Sequence, residues 1–262
     1  MSVRFDVAAH PGALAYRLLA GLVVPRPIAL VTTVDAAGRP NAAPFSFFNV
    51  LGTEPPIAGF APADRDDGTP KDTTANLLAT RECVIHLCDE PLAARMVECA
   101  RGLPPGESEI ARAGLTTRAA ERVRPPILAE CPVALECRFL DHRRYGENHL
   151  FVVEILLAHV RDGLADPATW KVDPAYAPVG RMHSPDGYVR TTDRFRHRVP
   201  AGLIRALSTG ASPRSRSRPA AGPRRRTSRP RPRLRPEPGG AVARGAAAYP
   251  RPCSGGLGGW CR

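Results

Sequence analysis

Residues 25–56, PRPIALVTTVDAAGRPNAAPFSFFNVLGTEPP, contain three extended runs and decide the fold class of the chain. Ile28–Val34 is rich in β-branched residues and ends at a DAAG turn signal, so it predicts a strand. Asn41–Val50 is extended again, although Pro44 lacks the N–H that a ladder needs and therefore predicts an edge strand or an irregularity. Pro56–Ala61 predicts a third strand. Closely spaced turns between apolar strands indicate an antiparallel barrel or sandwich.

The remainder of the first 200 residues adds strands and short helices in no regular alternation. The polar run 62–70 leads into a short helix, for which Asp72 or Thr73 is a natural N-cap. The other predicted helices are 91–101 and Glu107–Ala113, and the other predicted strands are Cys83–Cys88, Val133–Phe139 and His149–Val160. Because no βαβ alternation runs through the chain, the sequence predicts a mainly β fold, a β-barrel with a few short helices.

Charge divides the chain into two parts. Of its 262 residues, 37 are Lys or Arg and 25 are Asp or Glu, but 14 of the basic residues and one acid fall in 201–262. The first 200 residues therefore hold 23 basic and 24 acidic side chains. We predict one folded domain, 1–200, followed by an Arg-, Pro- and Gly-rich disordered tail, 201–262. A near-neutral body excludes a protein that binds nucleic acid over its whole surface.

The spacing of the cysteines and the absence of long apolar runs predict the cellular location of the protein. The seven cysteines form no CxxC pair, which argues against zinc ribbons and thioredoxin-like sites and favours buried thiols in a reducing compartment. Residues 1–10 do not have the pattern of a secretory signal. No run of 18 uninterrupted apolar residues is present, so we expect no membrane partner. The expected location is the cytoplasm.

Motifs for catalysis by side chains alone are absent from the sequence. It contains no GxxxxGK[ST], no GxGxxG after a strand, no HExxH and no GxSxG, and its seven histidines are scattered. We therefore expect no metal site. An enzyme of this composition would depend on a bound cofactor, so no catalytic side chain is predicted.

Thr69–Thr73 is the most chemically suggestive segment. A helix N-terminus offers free N–H groups and a partial positive charge, and Lys71 and the Thr73 hydroxyl add donors at the same place. Together they suit the phosphate of a mononucleotide. The alternative is a plain capped helix with a solvated lysine, and the spacing alone favours that alternative.

Ala42–Asn49 is the second candidate segment. Its small residues let a flat ligand approach the backbone, while Ser46 and Asn49 can donate or accept at the edge of that ligand. An ordinary edge strand that packs its phenylalanines onto the core explains the pattern equally well. His149, Tyr188 and Arg190 each suit a structural role when considered in isolation.

Several spaced motifs together resemble a known family. The run PRPIALVTTVDAAGRPNAAPFSFFNVLGTEPP, followed by GTPKDTTANLLAT at 68–80, is similar to the flavin reductase-like family of the FMN-binding split-barrel superfamily. The order of motifs is the "RPIALVTT" strand, then "NxAPFSxFN", "PP" and "KDTxxN". Later stretches continue the resemblance, which covers about 11–196. It implies a Greek-key split barrel and a homodimer with FMN at the interface.

The resemblance also implies roles for individual residues. The flavin ring and its ribityl chain would lie on 43–47, with Ser46 near the phosphate and Asn49 near the ring. Lys71, Asp72 and Thr73 would form the phosphate end. Arg26, Pro27, Thr32 and Thr33 would lie under the flavin. His149 and Tyr188 would border the nicotinamide side. The full set is Arg26, Pro27, Thr32, Thr33, Ala43, Pro44, Phe45, Ser46, Phe47, Asn49, Lys71, Asp72, Thr73, His149 and Tyr188.

The implied activity is hydride transfer from NADH or NADPH to flavin, which then passes electrons to a partner oxygenase, free flavin, oxygen or another acceptor. An FMN electron carrier without efficient NAD(P)H turnover is a second interpretation. A third, from another class, is nucleic-acid binding through the Arg-rich tail. Members of the family usually end soon after the equivalent of Thr192–Phe195, so the tail also fits a non-homologous extension, including a shifted reading frame near residue 197.

Overall fold

A computed structural model describes residues 2–104, 107–183 and 185–197. The tail 201–262, which the sequence predicts to be disordered, lies outside the described residues. None of the helices in these three ranges has the length and apolarity that crossing a bilayer requires.

The described residues form mainly strands. The helices are α1 Ala13–Leu22, α2 Asp72–Thr80, α3 Ala93–Glu98 and α4 Glu109–Arg112, with one 3₁₀ turn at Glu90–Leu92. The strands are β1 Arg26–Pro27, β2 Ala29–Val34, β3 Pro40–Phe45, β4 Phe48–Thr53, β5 Pro56–Phe60, β6 Glu82–Leu87, β7 Thr117–Arg118, β8 Ile127–Leu128, β9 Val133–Tyr145, β10 Asn148–Val160, β11 Val179–Arg181 and β12 Tyr188–Arg190. The predicted mainly β fold with a few short helices is confirmed.

Seven strands make one antiparallel sheet in the order β3-β2-β6-β9-β10-β5-β4. Neighbours such as β2 with β6 and β10 with β5 are far apart in sequence, as a Greek-key arrangement requires. Phe45 on β3 and Phe60 on β5 lie near opposite ends of this order, yet their ring centroids are 5.7 Å apart. The sheet therefore curls into a barrel around a phenylalanine-rich core that includes Phe139 and Phe151.

The barrel is open between its two edge strands, β3 and β4. The sequence predicts a single strand over Asn41–Val50, and this prediction is wrong at Ser46 and Phe47, which connect two separate strands. The break has a physical reason, because the two halves belong to opposite edges of the sheet and the chain must cross the gap. Pro44 lies on edge strand β3, as its missing N–H predicts.

A second apolar cluster covers the outer face of β2. Leu30 packs there with Met96 of α3 and Ile110 of α4, whereas Val31, the next residue along, points into the barrel core. Both faces of β2 are therefore buried, which explains the continuous apolar pattern of its sequence. The small helices hold the edge strand β3 in place from outside.

Some elements differ from the prediction in position or in length. Helix α2 begins at Asp72 with Lys71 as its N-cap, so neither Asp72 nor Thr73 is the cap, and no side chain makes a cap hydrogen bond. Strand β9 extends beyond Phe139 because its polar second half pairs with β10. Helix α1 and the three-stranded sheet β1-β11-β12 were not predicted. Their short or exposed apolar runs give little periodicity to detect.

Candidate functional site

Edge strand β3 brings the two predicted binding segments into one region. Its carboxyl end passes into the connection Ser46-Phe47, and its amino end carries Asn41, which contacts the first turn of α2. Ala43 and Pro44, between these ends, are half-buried. A ligand lying along the outer edge of β3 would therefore reach both segments.

Arg26 holds the connection between β3 and β4. Its Nε donates to Ser46 Oγ at 3.3 Å, Nη1 donates to the carbonyl oxygens of Val23 (3.1 Å) and Ala20, and Nη2 donates to the carbonyl oxygen of Met182 at 3.3 Å. Burial lowers the pKa of the Arg26 guanidinium. Because its donors bond to protein oxygens, Arg26 fixes the position of Ser46, and that hydroxyl can still donate to a ligand.

Phe47 gives this end of β3 an exposed aromatic surface. The side chain is 44% exposed, which is unusual for phenylalanine in a barrel of this size. Tyr16 of α1 meets the ring edge-on at a centroid distance of 6.2 Å, and Arg26 Cζ lies 5.9 Å from its centroid. Pro27, next to Arg26, is exposed. The arrangement suits a flat ring system better than a charged group.

Asn49 lies on β4, across the gap from β3. The residue is exposed, and its Oδ1 accepts the N–H of Val50 at 2.9 Å. Its amide NH₂ makes no hydrogen bond to another of the described residues. That group can donate to a ligand held against Phe47.

A buried polar network joins β2, β3 and α2 at the other end of the strand. Asn41 Nδ2 donates to Thr73 Oγ1 at 2.9 Å and to Thr33 Oγ1 at 3.4 Å, and Asn76 Nδ2 donates to Thr33 Oγ1 at 3.1 Å. Among the described residues, the buried hydroxyl of Thr74 has no partner. The network fixes the first turn of α2 against the barrel and leaves a donor there without an acceptor.

Positive charge converges on the same turn of α2. The Lys71 side chain is half-buried and makes no hydrogen bond or ion pair within the described ranges. Burial, followed by the nearby Arg65 charge, lowers its pKa, and Asp66 opposes this shift. Arg65 donates to the Pro70 carbonyl oxygen and to Asp72 Oδ2, the latter at 2.8 Å. Asp72 is therefore neutralised by Arg65. The Lys71 ammonium and the free N–H groups of the first turn therefore make no hydrogen bond to an anion among the described residues.

His149 is buried at the mouth of the barrel. One ring nitrogen, Nε2, lies 2.8 Å from Asp64 Oδ1, and the other, Nδ1, lies 3.0 Å from His142 Nε2. Arg144 donates to the second oxygen of Asp64 at 2.7 Å. Both nitrogens of His149 are thus occupied within the protein, and the half-buried His142 is the member of the pair that approaches the surface.

The chain matches the family described as "Flavin reductase like domain" over residues 21–178. It belongs to this family. A solved Pseudomonas fluorescens 2-nitrobenzoate 2-nitroreductase is 32% identical, with a TM-score of 0.70, and the match covers 77% of this chain and 98% of that one. Nitrilotriacetate monooxygenase component B from Bacillus cereus is 28% identical, with a TM-score of 0.69 and coverage of 75% and 99%.

The fold of this flavin reductase-like chain agrees with the comparison. A Shewanella frigidimarina protein described as having a split barrel domain is 18% identical, with a TM-score of 0.63, and the match covers 76% of this chain and 99% of that one. The resemblance read from the sequence motifs is therefore confirmed, and so is the split-barrel fold.

The remaining predicted residues of this flavin reductase-like domain lie in different surroundings. Thr32 Oγ1 donates to the Pro126 carbonyl oxygen at 2.7 Å, on the opposite face of β2 from Thr33, so the two threonines do not share one ligand surface. Tyr188 on β12 stacks with Arg181, whose Cζ is 4.6 Å from the ring centroid. Arg181 pairs with Arg26 of β1, which places Tyr188 two strands from Arg26.

The sequence interpretation missed residues that the fold brings to this region of the flavin reductase-like domain. Asn41 and Asn76 stand in the motifs NxAPFSxFN and KDTxxN, so the signal for them was present. Arg65, Asp64 and His142 lie in a polar loop and in the second half of a strand, where no motif distinguishes them from solvated residues.

Proposed function

We propose that this flavin reductase-like protein is an FMN-dependent oxidoreductase that takes hydride from NADH or NADPH and passes the electrons to an acceptor. The observation that carries the proposal is the Lys71 side chain, which has no partner among the described residues, at the N-terminus of α2. This turn contacts the edge strand β3, whose carboxyl end leads into the exposed Phe47. Lys71 would form part of an anion site, and Phe47 provides an aromatic surface. A flavin mononucleotide has a phosphate at one end and a planar ring at the other.

The phosphate would bind at the first turn of α2. Lys71 would donate to it, and the N–H groups of Asp72, Thr73 and Thr74 have no acceptor inside the helix. The buried Thr74 hydroxyl without a partner marks the same place. Because Lys71 is half-buried, its charge is screened less by water than a surface lysine would be.

The flavin ring would lie against the connection between β3 and β4. Phe47 would provide the apolar surface and Asn49 an amide donor, while Ser46, whose hydroxyl Arg26 holds in place, would donate on the side toward the phosphate. When bound, FMN supplies the two-electron chemistry, so the chain's own contribution is to bind, orient and exclude water. Ala43 and Pro44 leave room for the ligand because neither has a long side chain.

The protein would act as a homodimer with FMN at the interface. An exposed apolar face surrounds the proposed ring site, comprising Leu19, Leu22, Val23, Phe47, Val50 and Leu51. The last two belong to edge strand β4, whose free backbone groups and apolar side chains favour pairing with another surface. A second copy would cover this face and close one side of the cofactor site.

Two relatives indicate the range of electron acceptors. One is named as component B of a monooxygenase and the other as a nitroreductase, so transfer to a partner oxygenase and direct reduction of a small acceptor are both included in the proposal. The five cysteines of the described ranges are free thiols, which supports a cytoplasmic location. Nucleic acid and membrane are not among the proposed partners.

The test is an anaerobic absorption spectrum of the protein reconstituted with FMN, recorded before and after addition of NADH or NADPH. We expect the visible flavin bands to bleach within the time of mixing to seconds. If FMN binds but stays oxidised with both nucleotides, the electron-carrier interpretation replaces the reductase. If FMN does not bind at all, the proposed function is wrong.

A further inference from the structure

Three titratable side chains form a hydrogen-bonded chain from the interior of the barrel to its surface. The Asp64 side chain is 3% exposed and the His149 side chain 5%, and they are 2.8 Å apart at Oδ1 and Nε2. His149 Nδ1 is 3.0 Å from Nε2 of the half-buried His142. The two imidazoles stack with a centroid distance of 5.2 Å, and His142 also stacks on Phe151 at 4.7 Å. Packing therefore fixes both rings.

The buried carboxylate determines which nitrogen carries each proton. Asp64 can only accept while it is ionised, so His149 Nε2 must carry hydrogen and, in a neutral ring, Nδ1 is an acceptor. His142 Nε2 must then donate to that acceptor. In neutral His142 the remaining nitrogen, Nδ1, has a free lone pair. The Asp64 carboxylate determines this tautomer through its hydrogen bond to His149.

His142 Nδ1 is the open end of the chain. It makes no hydrogen bond to any described residue, and it is not among the enclosed side-chain atoms that lack a partner in those ranges. A nitrogen that has no hydrogen-bond partner in the protein and is not enclosed by it faces solvent or a ligand. This is the arrangement by which a buried carboxylate and an oriented imidazole make a proton-transfer group.

One segment of the chain contacts both ends of the proposed FMN site and the Asp64–His149–His142 cluster. The segment from Ala61 to Asp72 passes all three places in order: the Ala61 N–H donates to the Phe47 carbonyl oxygen, Asp64 contacts His149, and Arg65 contacts Asp72. This segment therefore links the Asp64–His149–His142 cluster to both places that would hold FMN.

We propose that Asp64, His149 and His142 form a proton relay, and that His142 Nδ1 exchanges the proton that accompanies hydride transfer in this site. The inference rests on the proposed function. Reduction of an organic acceptor by a nicotinamide consumes one hydride, with its electron pair, and one proton. His142 takes that proton from water at Nδ1 and passes it to the oxygen or nitrogen that hydride addition makes basic. The Asp64 carboxylate balances the transient imidazolium charge through His149.

The charged groups around His142 have opposing effects on its protonation. Burial lowers its pKa most, the neighbouring His149 lowers it further, and Arg144 adds a smaller effect in the same direction, whereas Asp141 raises it. The pKa of His142 therefore lies below the ordinary 6.5. Relay-dependent rates should rise as pH falls through the lowered pKa of His142, because the protonated ring is the proton donor.

The first test needs no cofactor. Long-range ¹H–¹⁵N NMR of the labelled protein at neutral pH should show His142 protonated at Nε2 and bare at Nδ1. Asp64→Asn should mix the tautomers of both rings, because a neutral amide no longer requires a donor from His149. A proton on His142 Nδ1, or tautomers indifferent to Asp64→Asn, would overturn the relay.

The second test measures proton delivery in the FMN-loaded protein. His142→Gln should slow reduction of bound flavin by NADH about 100-fold, within the usual range for general acid catalysis, and abolish the rise in rate as pH falls. His10→Gln, at an exposed histidine far from the site in sequence, should leave both unchanged. An unaltered profile in His142→Gln would contradict the relay. Absence of flavin reduction in the parent protein would refute the proposed function, and the NMR result would still decide the relay.

Discussion

His86 shows how a single buried polar residue stabilises the barrel. The ring is fully buried, with Nδ1 donating to the Leu30 carbonyl oxygen at 3.0 Å and Nε2 accepting the Leu128 N–H at 2.9 Å. Burial is the largest of the effects that lower its pKa from 6.5 to about 4. The neutral ring therefore bridges β2 and β8, and the charged ring cannot make both bonds.

The lowered pKa of His86 predicts a pH-dependent stability. Between about pH 4 and 6.5 the unfolded state binds the proton and the folded state does not, so the free energy of unfolding falls as pH falls through this window. The shift corresponds to roughly 3 kcal/mol. Urea unfolding across this range should show the loss, and His86→Gln should reduce the slope. Equal slopes in the two proteins would refute the assignment.

At the level of elements, Arg26 ties three parts of the chain together. Its guanidinium reaches the end of α1, the connection between β3 and β4, and the residue after β11. These elements are distant in sequence and share no ladder except the short pairing of β1 with β11. One buried side chain therefore positions the edge where the proposed ring site lies.

Removing the Arg26 side chain should be costly. Arg26→Ala leaves buried carbonyl oxygens without donors and frees Ser46, so we expect a loss of about 2–4 kcal/mol in the free energy of unfolding. Arg39→Ala is the matched control, because Arg39 is exposed and pairs only with Asp35, and it should change stability by less than about 0.5 kcal/mol. Chemical denaturation of both variants provides the measurement. Similar small losses would mean that Arg26 does not hold the edge.

The sequence predicts most of the strands, whereas the site residues stay a prediction. Ile28–Val34 and His149–Val160 have β-branched, apolar patterns, and the structure has strands β2 and β10 at these positions. The break at Ser46 was missed because it follows from barrel closure, which is a long-range property. The proposed relay has no sequence signal for the same reason, since Asp64 and His142 both reach His149 only when β5 and β9 flank β10.

At the scale of the whole molecule, the exposed face on α1 and β4 predicts self-association. Leu51 is 54% exposed on edge strand β4, and a charge there would have to be desolvated in a dimer. Leu51→Glu should shift the protein toward monomer in sedimentation velocity, whereas Leu140→Glu, at a comparably exposed leucine on β9, should not. A parent protein that is monomeric would rule out the homodimer.

The Arg-rich tail differs in charge from the rest of the chain. Residues 201–262 account for the excess positive charge of the chain, while the body is nearly neutral. The division into a domain, 1–200, and a tail stays a prediction, as does the absence of a nucleic-acid role. Binding to nucleic acid that falls steeply with salt and disappears on deletion of 201–262 would favour the alternative.

FMN should bind with its phosphate at the N-terminus of α2, and FMN titration of the Lys71→Ala variant measures this contact. The chain has two lysines, so Lys171→Ala, at an exposed position, is the matched control. Loss of a charge-assisted phosphate contact should weaken binding by about 1.5–3 kcal/mol, with Ser46→Ala milder and Lys171→Ala unchanged. Equal FMN affinities in Lys71→Ala and the parent protein would contradict the claim.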